Sequence, residues 1–230
     1  MDYNFNFKFL FLLLVFSCTS SEQNQKVFYT GSLKSIMHLG DITGNISLNE
    51  AITKHTYGLG ALEGLKGEIL ILDNQPIISK VVDNQIHISN STETKASLLV
   101  YSYVDEWKSI KVPDSVRKMK DIEELLGNYA NSEPFSFIIE GKVKDLSWHV
   151  IDWVDGDNIH TPEKHQNSGL KGVLNTRRVI ILGFFSRKHQ GVFTHHSSNM
   201  HIHFVTDDKT ISGHVDDVEM TDDFKIEIMK

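Results

Sequence analysis

The chain of 230 residues contains a single cysteine, and its basic residues are fewer than its acidic ones. One cysteine excludes a disulfide framework and any cysteine-based zinc site. With 23 Lys and Arg against 30 Asp and Glu, the formal net charge is −7, which argues against an extended nucleic-acid interface because such an interface needs a basic face. Hydrophobic residues make up 40% of the chain, which excludes a mainly disordered protein.

The sequence also lacks an apolar run long enough to span a membrane. Residues 9–16 form an apolar run after Lys8, but a bilayer core needs about 20 residues. The run fits the hydrophobic region of a secretory signal peptide, and residues 15–18 resemble a bacterial lipoprotein box. We therefore predict a signal peptide over 1–17, a lipoprotein tether over 18–25 and a single folded domain over 26–230. The protein is then exported, with membrane attachment only through a lipid on Cys18; an ordinary signal peptide with a chance cysteine is the alternative.

Strand patterns dominate the rest of the chain. Short apolar or alternating runs predict strands over 68–76, 76–82, 85–88, 96–103, 135–143, 147–153, 178–185, 200–205 and 214–220. Helical spacing is confined to residues 115–129 and to a short segment, 48–53. The sequence predicts an α+β fold that is mainly antiparallel β, built as one long mixed or antiparallel sheet meander with few helices. Residues 155–176 show no periodicity, which favours a functional loop or, more commonly, a solvated surface segment.

The chain contains 12 histidines, in contrast to its single cysteine. His201 and His203 are separated by Ile202, and alternate residues of a strand face the same side, so both imidazoles can point into one cavity. Turn residues follow before His214. A hairpin turn centred on residues 208 and 209 places His203 directly across from His214, with Cβ atoms about 5 Å apart.

Three converging imidazoles match the open zinc site of hydrolytic and lyase enzymes, in which a fourth position is left for water or substrate. An isolated H-x-H pair on a strand is more often accidental, but the third histidine in hairpin register favours a metal site formed by His201, His203 and His214. The neighbouring His195 and His196 precede a loop-like segment, which favours surface or supporting roles over ligation.

A glycine-rich segment over residues 57–68 precedes one of the predicted strands. It is not a dinucleotide-binding fingerprint, because no helix follows the glycines. Glu63 and Glu68 flank its last turn, and Glu68 opens an apolar strand where a carboxylate needs a partner such as a metal or a basic group. A salt bridge at the end of the strand is the simpler alternative.

Taken together, these segments resemble the acetolactate decarboxylase family. The resemblance runs in order through most of the chain after the predicted tether. It rests on FYTGSLKSIMHLGD at 28–41, YGLGALEGLKGEILILD at 57–73, VIILGF at 179–184 and MHIHFVTDDKTISGHV at 200–215.

The resemblance implies a carbon–carbon lyase that converts 2-acetolactate, or a close 2-hydroxy-3-keto acid, to acetoin. Its zinc ion, held by His201, His203 and His214, acts as a Lewis acid that stabilises the enediolate left by loss of carbon dioxide. A carboxylic acid then delivers the proton. By position Glu68 matches the family's glutamate, and Glu63 is a candidate supporting acid.

Two features depart from the family. The family carries an essential arginine on a strand before the H-x-H pair, whereas here no arginine occurs between Arg117 and Arg177. A substrate carboxylate therefore lacks its usual cationic partner. His149, or Arg177 and Arg178 from elsewhere in the fold, could take that place. The family also has an acidic residue near its C-terminus that approaches the active site, and Glu227 does not align with it.

These departures leave alternatives open. The first expectation is the zinc-dependent decarboxylase. The second is an exported zinc-binding member of the family that binds another small ligand without decarboxylating it, an alternative favoured by the missing arginine. The third is a cupin-like iron oxygenase with an H-x-H…H ligand set.

Overall fold

The computed structural model describes residue 1 and residues 27–130 and 134–230. The predicted signal peptide and tether, with Cys18, fall outside the described residues. Within the described ranges the strands form two antiparallel sheets.

The first sheet contains the N-terminal strands. Its strand order is β1-β7-β3-β4-β5-β6, with β2 paired to β7. The strands are β1 (Val27–Thr30), β2 (Ile46–Ser47), β3 (Thr56–Leu62), β4 (Glu68–Leu72), β5 (Gln75–Val82), β6 (Gln85–Ser89) and β7 (Lys95–Tyr103).

The second sheet contains the longer C-terminal strands, in the order β11-β10-β9-β12-β8. They are β8 (Trp107–Ile110), β9 (Phe135–Val150), β10 (Leu170–Phe185), β11 (Met200–Thr206) and β12 (Ser212–Met229). Because β11 pairs with β12 as well as with β10, the strands β9, β10, β11 and β12 form a closed ring of paired strands.

Four short α-helices lie among the described residues: α1 (Leu33–Leu39), α2 (Leu48–Ala51), α3 (Met119–Gly127) and α4 (Pro162–Asn167). The start of α1 is capped by Ser32, whose hydroxyl accepts a hydrogen bond from the Ser35 N–H at 3.0 Å. It ends at Gly40, whose φ of 62° lies in the left-handed region that favours glycine. None of the described helices is long and apolar enough to cross a bilayer.

The predicted class, α+β with mainly antiparallel strands, is confirmed, but the single meander is corrected to two sheets. The chain leaves the first sheet after β7, and β8 pairs with the C-terminal strand β12 rather than with its sequence neighbours. Such long-range pairing carries no local signal in the sequence. The segments predicted over 135–143 and 147–153 also merge into one strand, β9.

The segment at 155–176, predicted to be irregular, contains α4 and the first residues of β10. Helix α4 begins with the local signals of a helix start: Thr161 accepts a hydrogen bond from the Lys164 N–H, and Pro162 occupies the first turn. Six residues are too few for hydrophobic periodicity to register, so only these capping signals identify α4 in the sequence.

The two sheets are held together by a shared apolar core. Leu59 and Val100 of the first sheet belong to the same buried cluster as Leu182 and Phe184 of the second. Burying a side chain of this size contributes about 1.5–3 kcal/mol. Close approach of strands within the first sheet requires Gly60, because a Cβ atom there would lie 1.9 Å from the Leu98 carbonyl oxygen.

Candidate metal centre and its cavity

The β11–β12 hairpin brings three histidines together. His203 is paired with His214 across the hairpin, as the predicted turn requires, and His201 lies two residues earlier on the same face of β11. One ring nitrogen from each of the three lies within 4.8 Å of the others. Ile202, between the two strand histidines, is buried in the apolar core.

Hydrogen bonding sets the orientation of His203. Its Nδ1 lies 2.9 Å from the Ile69 carbonyl oxygen of β4, which can only accept, so Nδ1 carries the proton. The lone pair is then on Nε2, which lies 3.2 Å from Nε2 of His201. A backbone carbonyl that fixes the tautomer of an imidazole in this way is typical of histidines that bind metals.

The three histidines lie in an environment that disfavours positive charge. Burial lowers the pKa of His201 to about 4 and lowers those of His203 and His214 well below the usual value, and neighbouring histidines add to the effect. Three neutral imidazoles therefore present lone pairs at neutral pH, which is the ligand form for zinc, iron, copper or nickel. The triad fits a divalent transition metal.

Glu68 lies beside the histidine triad at the start of β4. Its Oε2 is 3.6 Å from Nε2 of His203, and its Oε1 accepts a hydrogen bond from the Ile151 N–H at 3.2 Å. The side chain is almost fully buried. Burial raises the pKa of Glu68 to about 7, against the opposing effects of His149 and the Ile151 N–H. A carboxyl group with this pKa can hold a proton at neutral pH and release it to a reacting group.

His149 approaches the triad from β9. It is paired with His214 in the sheet, and the centroids of the two rings are 4.8 Å apart. Nδ1 of His149 lies 2.9 Å from Oδ1 of Asp216. Burial lowers the pKa of His149, but the hydrogen bond to Asp216 and the negative charge of Glu68 outweigh it, so the net shift is upward. The structure thus places His149, an imidazole with a raised pKa, beside the triad.

Two other acidic residues, the predicted Glu63 and the unaligned Glu227, lie away from the triad. Glu63 is exposed, and its Oε1 accepts a hydrogen bond from the Gly44 N–H at 3.1 Å. Glu227 forms an ion pair with Lys225 and a hydrogen bond with Ser109 at the far end of β12. Neither residue lines the cavity at the triad.

The arginines do not supply the missing cation. Arg177 is paired with Asp208 and Arg178 with Asp223, in a shallow surface depression separate from the triad. Arg187 donates to the Gly127 carbonyl oxygen, and Arg117 packs over the Phe224 ring. His149 is therefore the only one of the proposed substitutes that the structure brings to the triad.

A cavity of about 930 Å³ opens from the triad toward the surface. Glu68, His149, His201 and His214 lie on its wall, as do residues of α1 and α4 and the His195–His196 pair. Much of this wall is apolar, which is usual for a site that binds small organic molecules and fixes them with a few polar groups.

Two residues of this wall were not anticipated from the sequence: Asp216 of β12 and Gln166 of α4. A weak signal exists for Asp216, because it lies two residues after His214 on the same strand. The pairing of β12 with β9 shifts register between Val215 and Asp217, so Asp216 occupies a bulge. Gln166 has no such signal, because its position depends on how α4 folds back over β10.

Comparison with known proteins identifies the family of the chain. The family profile described as alpha-acetolactate decarboxylase matches residues 27–230. An alpha-acetolactate decarboxylase of Methanosarcina mazei is 21% identical over 202 residues, covering 87% of this chain and 68% of the relative.

Two crystal structures have the same fold. One is alpha-acetolactate decarboxylase from Bacillus subtilis, at a TM-score of 0.71 and 18% identity, covering 88% of this chain and 84% of that one. The other is a Staphylococcus aureus protein described as similar to alpha-acetolactate decarboxylase, at a TM-score of 0.70 and 20% identity, with the same coverage. Because the family profile spans almost all of the described chain, the protein belongs to the alpha-acetolactate decarboxylase family.

Proposed function

We propose that the protein is a zinc-dependent lyase that decarboxylates 2-acetolactate, or a close 2-hydroxy-3-keto acid, to acetoin. The observation that carries the proposal is the position of Glu68, a buried carboxyl group with a raised pKa, 3.6 Å from an imidazole of the triad. Family membership supports the substrate class, and the geometry places a buried carboxyl group beside three histidines that could hold a metal.

His201, His203 and His214 would hold the metal. When bound, zinc would supply Lewis-acid stabilisation of the negative charge that develops as carbon dioxide leaves. The Ile69 carbonyl oxygen keeps His203 in the required tautomer. His201 and His203 are buried, which would strengthen their electrostatic interactions with the reacting centre because the local dielectric constant is low.

Glu68 would act as the general acid. Cleavage of the bond between the carboxylate carbon and C2 leaves an electron pair on the substrate as an enediolate. The protonated carboxyl of Glu68 would give its proton to that carbon, which completes acetoin. Hydrogen bonding of Oε1 to the Ile151 N–H fixes the carboxyl plane and leaves Oε2 on the side of the triad.

His149 would bind the substrate carboxylate in place of the family's arginine. It lies on the cavity wall beside His214, and against the effect of burial its hydrogen bond to Asp216 favours its protonated form. An imidazolium makes a single charge-assisted hydrogen bond where an arginine makes two, so the carboxylate is held less tightly and leaves without breaking a bidentate contact.

The use of a histidine in place of the family's arginine is also the observation that favours the alternative function. With the four arginines of the chain lying elsewhere, a protein that binds metal and another small ligand without decarboxylation also fits the site. The two functions differ in one result, which is whether acetoin appears.

The test is incubation of zinc-loaded protein with racemic 2-acetolactate, with acetoin measured against the spontaneous rate. We expect acetoin formation that a chelator abolishes and added zinc restores. Zinc-loaded protein that forms acetoin no faster than chelated protein would contradict the decarboxylase and favour the ligand-binding alternative. Protein purified without added metal that contains iron and consumes oxygen would favour the oxygenase.

Export and lipidation form a separate proposal, because residues 2–17 and Cys18 lie outside the described part of the chain. The apolar run and the cysteine that follows it support them. Mass spectrometry of the protein from a bacterial host should show cleavage before Cys18 and a lipid on its sulfur, and a Cys18→Ser variant should lack the lipid. An unmodified Cys18 would contradict lipidation.

A further inference from the structure

His149 is held by a carboxylate from the neighbouring strand, β12. Its Nδ1 lies 2.9 Å from Oδ1 and 3.0 Å from Oδ2 of Asp216. The two side chains are 11% and 20% exposed, so the contact is largely shielded from water. A carboxylate at this distance accepts the Nδ1–H and leaves Nε2 on the opposite edge of the ring. Within the described residues Nε2 forms no hydrogen bond, and His149 lies on the cavity wall, so Nε2 is available to a ligand.

A bulge in the backbone of β12 directs the side chain of Asp216 toward His149. Opposite β9, His214 is paired with His149 and Val215 with Trp148, but the next paired residue is Asp217, opposite Ser147. Asp216 is thus the extra residue of a β-bulge, a device that redirects a side chain within an otherwise regular strand. One short stretch of β12 supplies both a triad imidazole and the carboxylate that holds the neighbouring imidazole.

Gln166 holds Asp216 in turn. Its Nε2 donates to Oδ1 of Asp216 at 2.9 Å, so the same oxygen accepts from both Gln166 and His149. Gln166 lies on α4, whose His165 packs edge-on against the Trp153 ring at 4.7 Å. Trp153 is buried, which ties α4 to the end of β9 and keeps Gln166 over the cavity wall.

We propose that Asp216 and Gln166 are positioning residues that fix the ring of His149 with Nε2 directed at the substrate carboxylate. The proposal rests on the proposed function of His149 and assigns a role to two residues that contact neither the metal ligands' nitrogen atoms nor the reacting atoms. Asp216 acts through His149, and Gln166 acts through Asp216.

The kinetic test compares Asp216→Ala, Asp216→Asn, His149→Ala and the double variant Asp216→Ala/His149→Ala. Because a hydrogen bond to a charged partner is lost, we expect KM for acetolactate to rise about tenfold or more in Asp216→Ala, with a smaller change in kcat. Asp216→Asn keeps the oxygen that accepts both hydrogen bonds and should restore most of the lost affinity. The double variant should be no worse than His149→Ala, since Asp216 acts only through that ring.

Gln166→Ala is the milder variant. It leaves the Asp216–His149 contact in place, so KM should rise only a few-fold. Effects of Asp216→Ala and His149→Ala that multiply in the double variant would overturn the proposal. A fall in thermal stability with an unchanged KM in Asp216→Ala would also overturn it, because it would show a merely structural role.

A second readout does not depend on turnover. In protein with 15N-labelled histidines, at a pH alkaline enough for neutral imidazoles, the ring signals of His149 are assigned by their loss in His149→Ala. We expect the proton on Nδ1 in wild type and in Asp216→Asn, and a shift toward Nε2 in Asp216→Ala. An unchanged ring signal in Asp216→Ala overturns the positioning role even if acetoin is formed. The expected shift in a protein that forms no acetoin would instead contradict the proposed function alone.

Discussion

Two walls of the same cavity contain histidines whose pKa values are shifted in opposite directions. On the β11–β12 hairpin, three imidazoles are buried against one another with the Ile69 carbonyl as a fixed acceptor, and their pKa values are lowered. On the wall formed by β9 and α4, His149 faces Asp216, and its pKa is raised. The pKa of the same side chain is thus shifted in opposite directions on the two walls, because the neighbouring groups differ.

This contrast shows how the site separates two tasks. In the proposed function, the hairpin wall would provide lone pairs for a metal, while His149 on the β9–α4 wall would bind the anionic substrate. Glu68 lies between the two, near His203 on one side and under the influence of His149 on the other. When the environments of neighbouring groups shift their pKa values apart, one small site can contain both metal ligands and an acid.

The largest expected effect comes from removing a triad histidine from the hairpin wall. His203→Gln removes a triad ligand whose Nδ1 donates to the Ile69 carbonyl oxygen, so the metal should be lost together with all acetoin formation. Metal analysis and the acetoin assay measure the two effects. His87→Gln, the same change at an exposed position on β6, is the matched control and should keep both. Full metal content in His203→Gln would contradict the triad.

Removing the acid between the walls should have the next largest effect. Glu68→Gln keeps an oxygen for the Ile151 N–H but cannot donate a carboxyl proton, so kcat should fall about a thousandfold while bound metal is retained. Glu63→Gln is the control, because Glu63 is exposed and bonded to Gly44, and its kcat should match wild type. Equal losses in the two variants would remove Glu68 from the chemistry.

Altering the charge on the β9–α4 wall should have a smaller effect. His149→Ala removes the partner of the substrate carboxylate and should raise KM about 10- to 100-fold without loss of metal. His149→Arg restores the residue type that the family carries and should recover part of the affinity. If His149→Ala has the KM of wild type, the contrast between the two walls has no role in binding.

The smallest effect concerns stability near α4. Burial, with a contribution from His160, lowers the pKa of His165 to about 4 from 6.5. The unfolded chain therefore takes up a proton in that pH window while the folded protein does not, so the free energy of unfolding decreases as the pH falls from 6.5 to 4. Because His165 is partly exposed and screened by solvent, its contribution is on the order of 1 kcal/mol.

His165→Gln should therefore lose less stability than wild type across that window, as measured by chemical denaturation of the metal-loaded protein at its two ends. His87→Gln controls for removal of a histidine that faces solvent. Equal pH dependence in wild type and His165→Gln would show that the ring of His165 is not desolvated in solution.

The sequence was sufficient to predict the histidines of the hairpin wall but not the contacts around His149 on the β9–α4 wall. The reason is physical. His201, His203 and His214 lie within a few residues of one turn, so strand periodicity and hairpin register place them without knowledge of the rest of the fold. The approach of Asp216 and Gln166 to His149 depends on a β-bulge and on α4 folding over β10. Those features arise from long-range packing.

The fold shows the same division. The antiparallel class follows from alternating and apolar runs, and most predicted strands are present, although β10 begins eight residues earlier and β12 ends nine residues later than predicted. The split into two sheets was missed because β8 pairs with β12 over more than a hundred residues of sequence. The shared core of the two sheets, to which Leu59 and Leu182 both belong, stabilises that arrangement.

The most direct measurement is a zinc titration of metal-free protein, with acetoin formation from 2-acetolactate recorded at each addition. If the triad holds the metal that the reaction needs, the rate should rise in proportion to added zinc and reach its maximum at one equivalent per chain, and His203→Gln should stay at the spontaneous rate throughout. Acetoin formation by the metal-free protein, or a rate that does not follow zinc binding, would contradict the account.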